Sequence, residues 1–144
     1  MNNNHSKLCD FGDNPFSTNI DMLTLQNQNF RTALWTGKHL QLVAMSIKRC
    51  ESIGGEVHPK TDQFIRIVKG RAEVEMGKCA DNITYSKQIG AGDITIIPAG
   101  CYHNIKNIGE CSLKLYTIYA PPEHPKGTVN KTKEDAEKHE HHRH

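Results

Sequence analysis

The chain has 144 residues, of which 36% are hydrophobic and 24% charged, enough for one domain with a hydrophobic core but not comfortably for two. A formal charge of only +2, carried by scattered basic residues, argues against a nucleic-acid binder. No apolar run approaches the roughly 20 residues of a membrane span, and the opening MNNNHSKLCDFGDNPF lacks the layout of a signal peptide.

The five cysteines, Cys9, Cys50, Cys79, Cys101 and Cys111, are scattered and contain no C-x-x-C. They read as reduced thiols rather than as a disulfide framework or a cysteine zinc site, and a cytoplasmic protein is the expectation.

In chain order, residues 1–20 are polar and Asn-rich and read as a flexible arm. From Leu40 the pattern changes. LQLVAMSI, FIRIV, AEVEM, ITYSKQI, DITIIP and LKLYTIYA are short, and several alternate apolar with polar residues in the two-residue period of a half-buried strand. Turn signals separate them, among them Gly54-Gly55, Lys69-Gly70, Pro98-Ala99-Gly100 and Asn107-Ile108-Gly109. Many short strands with almost no helical period predict an all-β domain, a sandwich or barrel over residues 21–122. Pro121-Pro122 stops the last strand. Residues 123–144 form a His-rich extension, with TKEDAEKHEHH as a short polar helix capped by Thr132. The histidines His139, His141, His142 and His144 read as a solvated tail that binds metal only adventitiously.

The chemistry concentrates in two stretches. In GGEVHPKTDQFIRIVKG, Glu56 and His58 are two apart and share a face if the backbone is extended. A turn over Pro59–Asp62 could bring Gln63 beside them. Mixed nitrogen and oxygen donors suit Zn, Mn, Fe or Ni. Taken alone, the same residues read better as a surface hairpin whose polar groups face water. The second stretch, GDITIIPAGCYHNIKN, spaces Gly92, Pro98, Gly100, His103 and Asn107.

That spacing resembles the second signature motif of the cupin superfamily. The first motif is met at its end, with six residues between Gln63 and Gly70. The register puts Glu56 and His58 at the two His positions, Gln63 at the Glu position and Cys50 at the opening Gly position. With His103 these make a four-residue metal site, Glu56, His58, Gln63 and His103. Lys60 is then not a lost ligand, because it never stood at a ligand position. A neutral Gln donor in place of a carboxylate implies moderate metal affinity.

The segments NFRTALWTGKHLQLVAMSI, TDQFIRIVKG, PAGCYHNIKNIG and LKLYTIYAPPEHPKGTVNKTKEDA are similar to small single-domain bacterial cupins of the mannose-6-phosphate-isomerase-like kind. The resemblance implies a jelly-roll β-barrel of two packed antiparallel sheets with a divalent metal inside one end. It also implies a small-molecule ligand and a homodimer, with Phe64 and Val68 on an outward apolar face, and no nucleic-acid or membrane partner.

Three functions compete: a sugar or sugar-phosphate isomerase, a non-enzymatic small-ligand binder and a metal-dependent dioxygenase. No catalytic base is assigned. Tyr102 is expected to face away from His103 and to pack. Lys60 and Asp62 are a candidate surface pair, and Arg31, Trp35, His39 and Gln41 are candidates for the barrel mouth.

Overall fold

The structure is a computed structural model that describes residues 8–142. Its nine strands are β1 (Arg31–Thr36), β2 (Gln41–Ile47), β3 (Asp62–Lys69), β4 (Arg71–Cys79), β5 (Asn82–Gly90), β6 (Ile94–Ile97), β7 (Tyr102–Asn107), β8 (Leu113–Ala120) and β9 (Val129–Asn130). Two helices, α1 (Ile20–Gln26) and α2 (Lys133–His142), flank them. The strands form a six-stranded sheet in the order β6-β3-β8-β2-β1-β9 and a three-stranded sheet in the order β5-β4-β7. Every pairing is antiparallel. This is the jelly-roll architecture expected from the sequence, and the short C-terminal helix is present, with Thr132 Oγ1 accepting from Asp135 N.

The alternation of the strands builds the core. Ile65 and Ile67 of β3, Val43, Met45 and Ile47 of β2, and Leu113 and Leu115 of β8 turn inward from one sheet. Ala72, Val74 and Ile105 meet them from the other. The inward pattern changes character at one end of the barrel. Gln41, Gln63 and Tyr119 occupy one rung across β2, β3 and β8, since Tyr119 is paired with both glutamines. His103 is the first inward residue of β7 in the facing sheet. Apolar residues therefore fill the body of the barrel, and polar ones line one end.

Four elements were not foreseen: α1, β1, β7 and β9. Helix α1 is started by Asn19, whose side chain accepts from Met22 N, with Asp21 in the first turn. Of the predicted arm, residues 8–19 are described, and they lie against the sheet. The Asp10 carboxylate accepts from Gly12 N, Thr36 N and Oγ1, and Gly127 N. Burial alone would raise its pKa, but these bonds and the nearby Lys126 hold it below the usual carboxylate value.

Cys50 adopts a φ of 68°, the left-handed region that β-carbon-bearing residues avoid. It is the position where the cupin motif carries glycine, so the motif residue answers a backbone need. Cys50→Gly should therefore stabilise the protein by roughly 0.5–1 kcal/mol, the relief of strain exceeding the added entropy of the unfolded chain. Thermal or urea unfolding of the variant measures this; an unchanged or lower midpoint contradicts it.

Candidate metal centre

The segment between β2 and β3 is irregular rather than the strand expected around Glu56 and His58. It touches β7 through isolated bridges, Ser52 to Lys106 and Glu56 to His103. Glu56 and His103 exchange both backbone hydrogen bonds, each 3.0 Å. Gly100, at a φ of 84°, turns the chain into β7, and its N–H donates to His58 O at 2.9 Å. The two sequence motifs are thus joined through their main chains, and side-chain positions follow from that pairing.

One ligand atom from each of Glu56, His58 and His103 can be chosen so that all three lie within 4.8 Å of one another. Glu56 Oε1 stands 3.4 Å from His58 Nε2 and 3.9 Å from His103 Nε2. The two imidazoles are 5.2 Å apart between centroids. Gln63 reaches the same end of the barrel through its pairing with Tyr119, whose ring meets that of His58 edge-on at 5.7 Å. Its amide Nε2 donates to Thr117 Oγ1 at 2.9 Å, which turns Oε1 away from that bond.

The protonation pattern suits a metal. His103 Nδ1 lies 3.1 Å from Cys101 O. A carbonyl only accepts, so Nδ1 carries the proton and Nε2 keeps its lone pair. His58 Nδ1 lies 3.1 Å from Glu123 Oε2, which fixes the same tautomer. Of the candidate donors, His103 Nε2 and Gln63 Oε1 are among the buried atoms without a hydrogen-bond partner, and His58 Nε2 stands opposite the Glu56 carboxylate at 3.4 Å. An orphaned buried polar atom costs about 1–3 kcal/mol, so two such atoms beside a carboxylate and a second imidazole fit a cation better than an empty core.

The two histidines titrate in opposite directions. Burial pushes the His103 pKa down, outweighing its bond to Cys101 and the charge of Glu56. Burial also opposes the imidazolium of His58, but Glu123 and Glu56 overcome it and raise its pKa to about 9. At 3.4 Å, Glu56 acts there chiefly as a charge, and Glu123 as the aligned acceptor.

Glu123 was not singled out in the sequence, where it lies beyond the last long strand and outside both motifs. Gln41 places it. The Gln41 carbonyl oxygen accepts from the backbone N–H of Glu123 and His124, while its Nε2 donates to His124 O and Thr36 Oγ1. Thr61 donates to the other Glu123 oxygen at 3.3 Å. Glu123→Ala should weaken metal affinity by roughly 10–100-fold, because His58 loses the partner that sets its tautomer and ring orientation. Chelator competition gives the affinity, and nitrogen-15 shifts of the His58 ring report the tautomer. Unchanged values would show that Glu123 has no such role.

Of the other candidates, Gln41 is at the site end, but Arg31 is not. Arg31 is buried and donates to Asn130 Oδ1. Trp35 donates to Asn14 O and lines an outer apolar groove, and His39 is exposed. Lys60 is exposed in the turn before β3. Asp62 accepts from Ala99 N rather than pairing with Lys60, so no ion pair links those two. Tyr102 alternates with the buried His103 and stands over Gly55. The side chains of the tail histidines lie outside the described residues.

Comparison with known proteins agrees with the fold. Residues 45–119 match the cupin domain family. The chain is 51% identical over 129 residues to the uncharacterized protein YrkC of Bacillus subtilis, covering 90% of this chain and 69% of YrkC. It is 41% identical over 116 residues to the uncharacterized protein L612 of Acanthamoeba polyphaga mimivirus, covering 80% of this chain and 71% of L612. Among solved structures, that of BH2720 from Bacillus halodurans superposes with a TM-score of 0.90 at 48% identity, over 91% of this chain and 99% of the other.

Proposed function

The chain belongs to the cupin domain family, and from that footing we propose that it binds one divalent transition metal, Zn, Mn, Fe or Ni, through Glu56, His58, His103 and Gln63, and that the centre takes a small oxygen-bearing metabolite. The observation that carries this reading is the convergence of Glu56, His58 and His103, whose ligand atoms lie within 4.8 Å of one another, at the end of the barrel where His103 Nε2 and Gln63 Oε1 are buried without a hydrogen-bond partner.

Sugar or sugar-phosphate isomerisation is the first reaction we assign to it, in keeping with the sequence resemblance. A bound metal would polarise a carbonyl and acidify the neighbouring carbon. The chain's own part is to orient the donors: Cys101 O and Glu123 hold the two imidazoles, and Thr117 holds the Gln63 amide. Proton transfer between carbons also needs a base. Glu123 is the carboxylate beside the donors, and both its oxygens are engaged, by His58 and Thr61.

That engagement supports a second reading, a binder without catalysis. A third reading, a dioxygenase, is favoured by the two-His, one-carboxylate set. The test is to incubate metal-loaded protein with mannose 6-phosphate, fructose 6-phosphate and free aldoses in deuterium oxide. Isomerase chemistry exchanges the proton beside the carbonyl, visible by proton NMR. Ligand-induced thermal stabilisation without exchange identifies a binder, and oxygen consumption by iron-loaded protein identifies a dioxygenase.

Two further proposals accompany the function. The five free cysteines, four of them exposed, suit a reducing compartment and hence the cytoplasm. Among the described residues, no helix is long and apolar enough to cross a membrane. Phe64 and Val68 share the outer face of β3 with Arg66, and Phe64 and Arg66 pair there with Ile96 and Ile94 of β6, which are 59% and 48% exposed. A homodimer through this apolar face is expected, and light scattering of Ile96→Glu should show monomers where the parent shows dimers.

A further inference from the structure

A cavity lies away from the metal centre. Its volume is about 330 Å³, and Lys48, Lys114, Lys131 and Lys133 line it together with Ser46 and Ser112. Against these four ammonium groups the lining holds a single carboxylate, that of Glu51. Among the described residues none of the four lysines forms an ion pair, although the chain has as many as 16 acidic residues.

The fold gathers them from distant parts of the sequence. Ser46 and Lys114 are directly paired across β2 and β8 and point outward from the six-stranded sheet. The end of α1 closes one side, where Asn27 O accepts from Lys114 Nζ at 2.6 Å. The start of α2 closes another, bringing Lys131 and Lys133 with the positive end of the helix dipole. One Lys114 N–H is used by Asn27, leaving two to serve a ligand. Burial, and then the charge of Lys69, lower the pKa of Lys114, so an anion here would relieve a real electrostatic cost.

We propose that this cavity is a binding site for a phosphate-class dianion, either free phosphate or the phosphate group of a small monoester. Its size is that of a small-ligand pocket, its donors are ammonium and hydroxyl groups, and its charge favours a dianion. It is separate from the metal centre. Lys114 and Tyr119 are five residues apart on β8, roughly 17 Å, and they face opposite sides of the sheet. A ligand seated at the metal therefore does not fill it, and the proposal is independent of the metal reading.

The test is a titration of the full chain, followed by amide NMR, at ionic strength held constant with chloride. One arm uses inorganic phosphate and the other glycerol 3-phosphate. Saturating shifts are expected at Ser46, Ser112 and Lys133, with none at His58 or His103. Binding should weaken by about tenfold or more in Lys114→Gln and in the double variant Lys131→Gln/Lys133→Gln. The arm that saturates at lower concentration identifies the source of the dianion. Shifts that rise linearly without saturation in both arms overturn the proposal. So does equal binding by the parent and the double variant, which holds even if Lys114→Gln fails to fold.

Discussion

Replacing His103 by alanine should abolish stoichiometric metal binding and leave the barrel folded. His103 is fully buried, and its Nε2 is one of two imidazole donors available to the centre. Loss of a ligand should exceed the roughly 10–100-fold cost of losing a partner that only orients one. Truncation also empties part of a packed site, so a stability loss of about 2–3 kcal/mol is expected with it. Lys60→Ala is the matched control. Lys60 is exposed in the turn, and removing its charge should leave affinity unchanged or slightly raised. Isothermal titration on both variants decides the matter. Retained binding in His103→Ala, or lost binding in Lys60→Ala, would overturn the assigned register.

Metal affinity should rise steeply with pH and then level off near pH 9. A metal needs the His58 Nε2 lone pair, but without metal that nitrogen holds a proton up to about pH 9, opposed by burial and favoured by Glu123 and Glu56. His103, with its pKa pushed down, is already neutral. Binding near neutral pH should therefore release about one proton from these two histidines, and affinity should gain about tenfold per pH unit until His58 is neutral in the free protein.

The same group sets the opposite trend in the metal-free protein. A folded-state pKa raised from 6.5 to about 9 contributes stability fully present below 6.5 and lost as pH rises through 9. Titrations in buffers of different ionisation heat count the released protons, and unfolding curves across the same range follow the stability. Affinity that is flat between pH 6.5 and 8.5 would contradict the proposed protonation state.

The legibility of this site in the sequence depended on how each residue is held. Glu56, His58, Gln63 and His103 stand at motif spacings, because short turns and paired backbones fix them over a few residues. Gly92, Gly100 and the position of Cys50 were legible for the same reason: each takes a positive φ at a turn. Glu123 was not, because the Gln41 side chain that brings it to His58 lies more than eighty residues earlier in the chain. The lysine cavity was equally hidden. Its members come from β2, β8 and the approach to α2, and each alone is an ordinary surface lysine.

The fold divides along similar lines. Strands with strict alternation, such as β3, β4 and β8, were recognisable from their two-residue period. Strand β1 has four buried residues in a row, two of them the polar Arg31 and Thr32, so it carries no alternation. Strand β7 places His103 and Asn107 inward, where a hydrophobic pattern cannot find them. Helix α1 spans seven residues and buries only Thr24, too little for a helical period to emerge.

The central claim is that Glu56, His58, Gln63 and His103 close around one ion. Anomalous diffraction from crystals grown with a transition metal measures this directly. A single anomalous peak is expected about 2.0–2.3 Å from a Glu56 carboxylate oxygen, His58 Nε2, His103 Nε2 and Gln63 Oε1, with Glu123 on the far side of the His58 ring. No peak at that position, or a peak there with Glu56 or Gln63 turned away from it, would contradict the account.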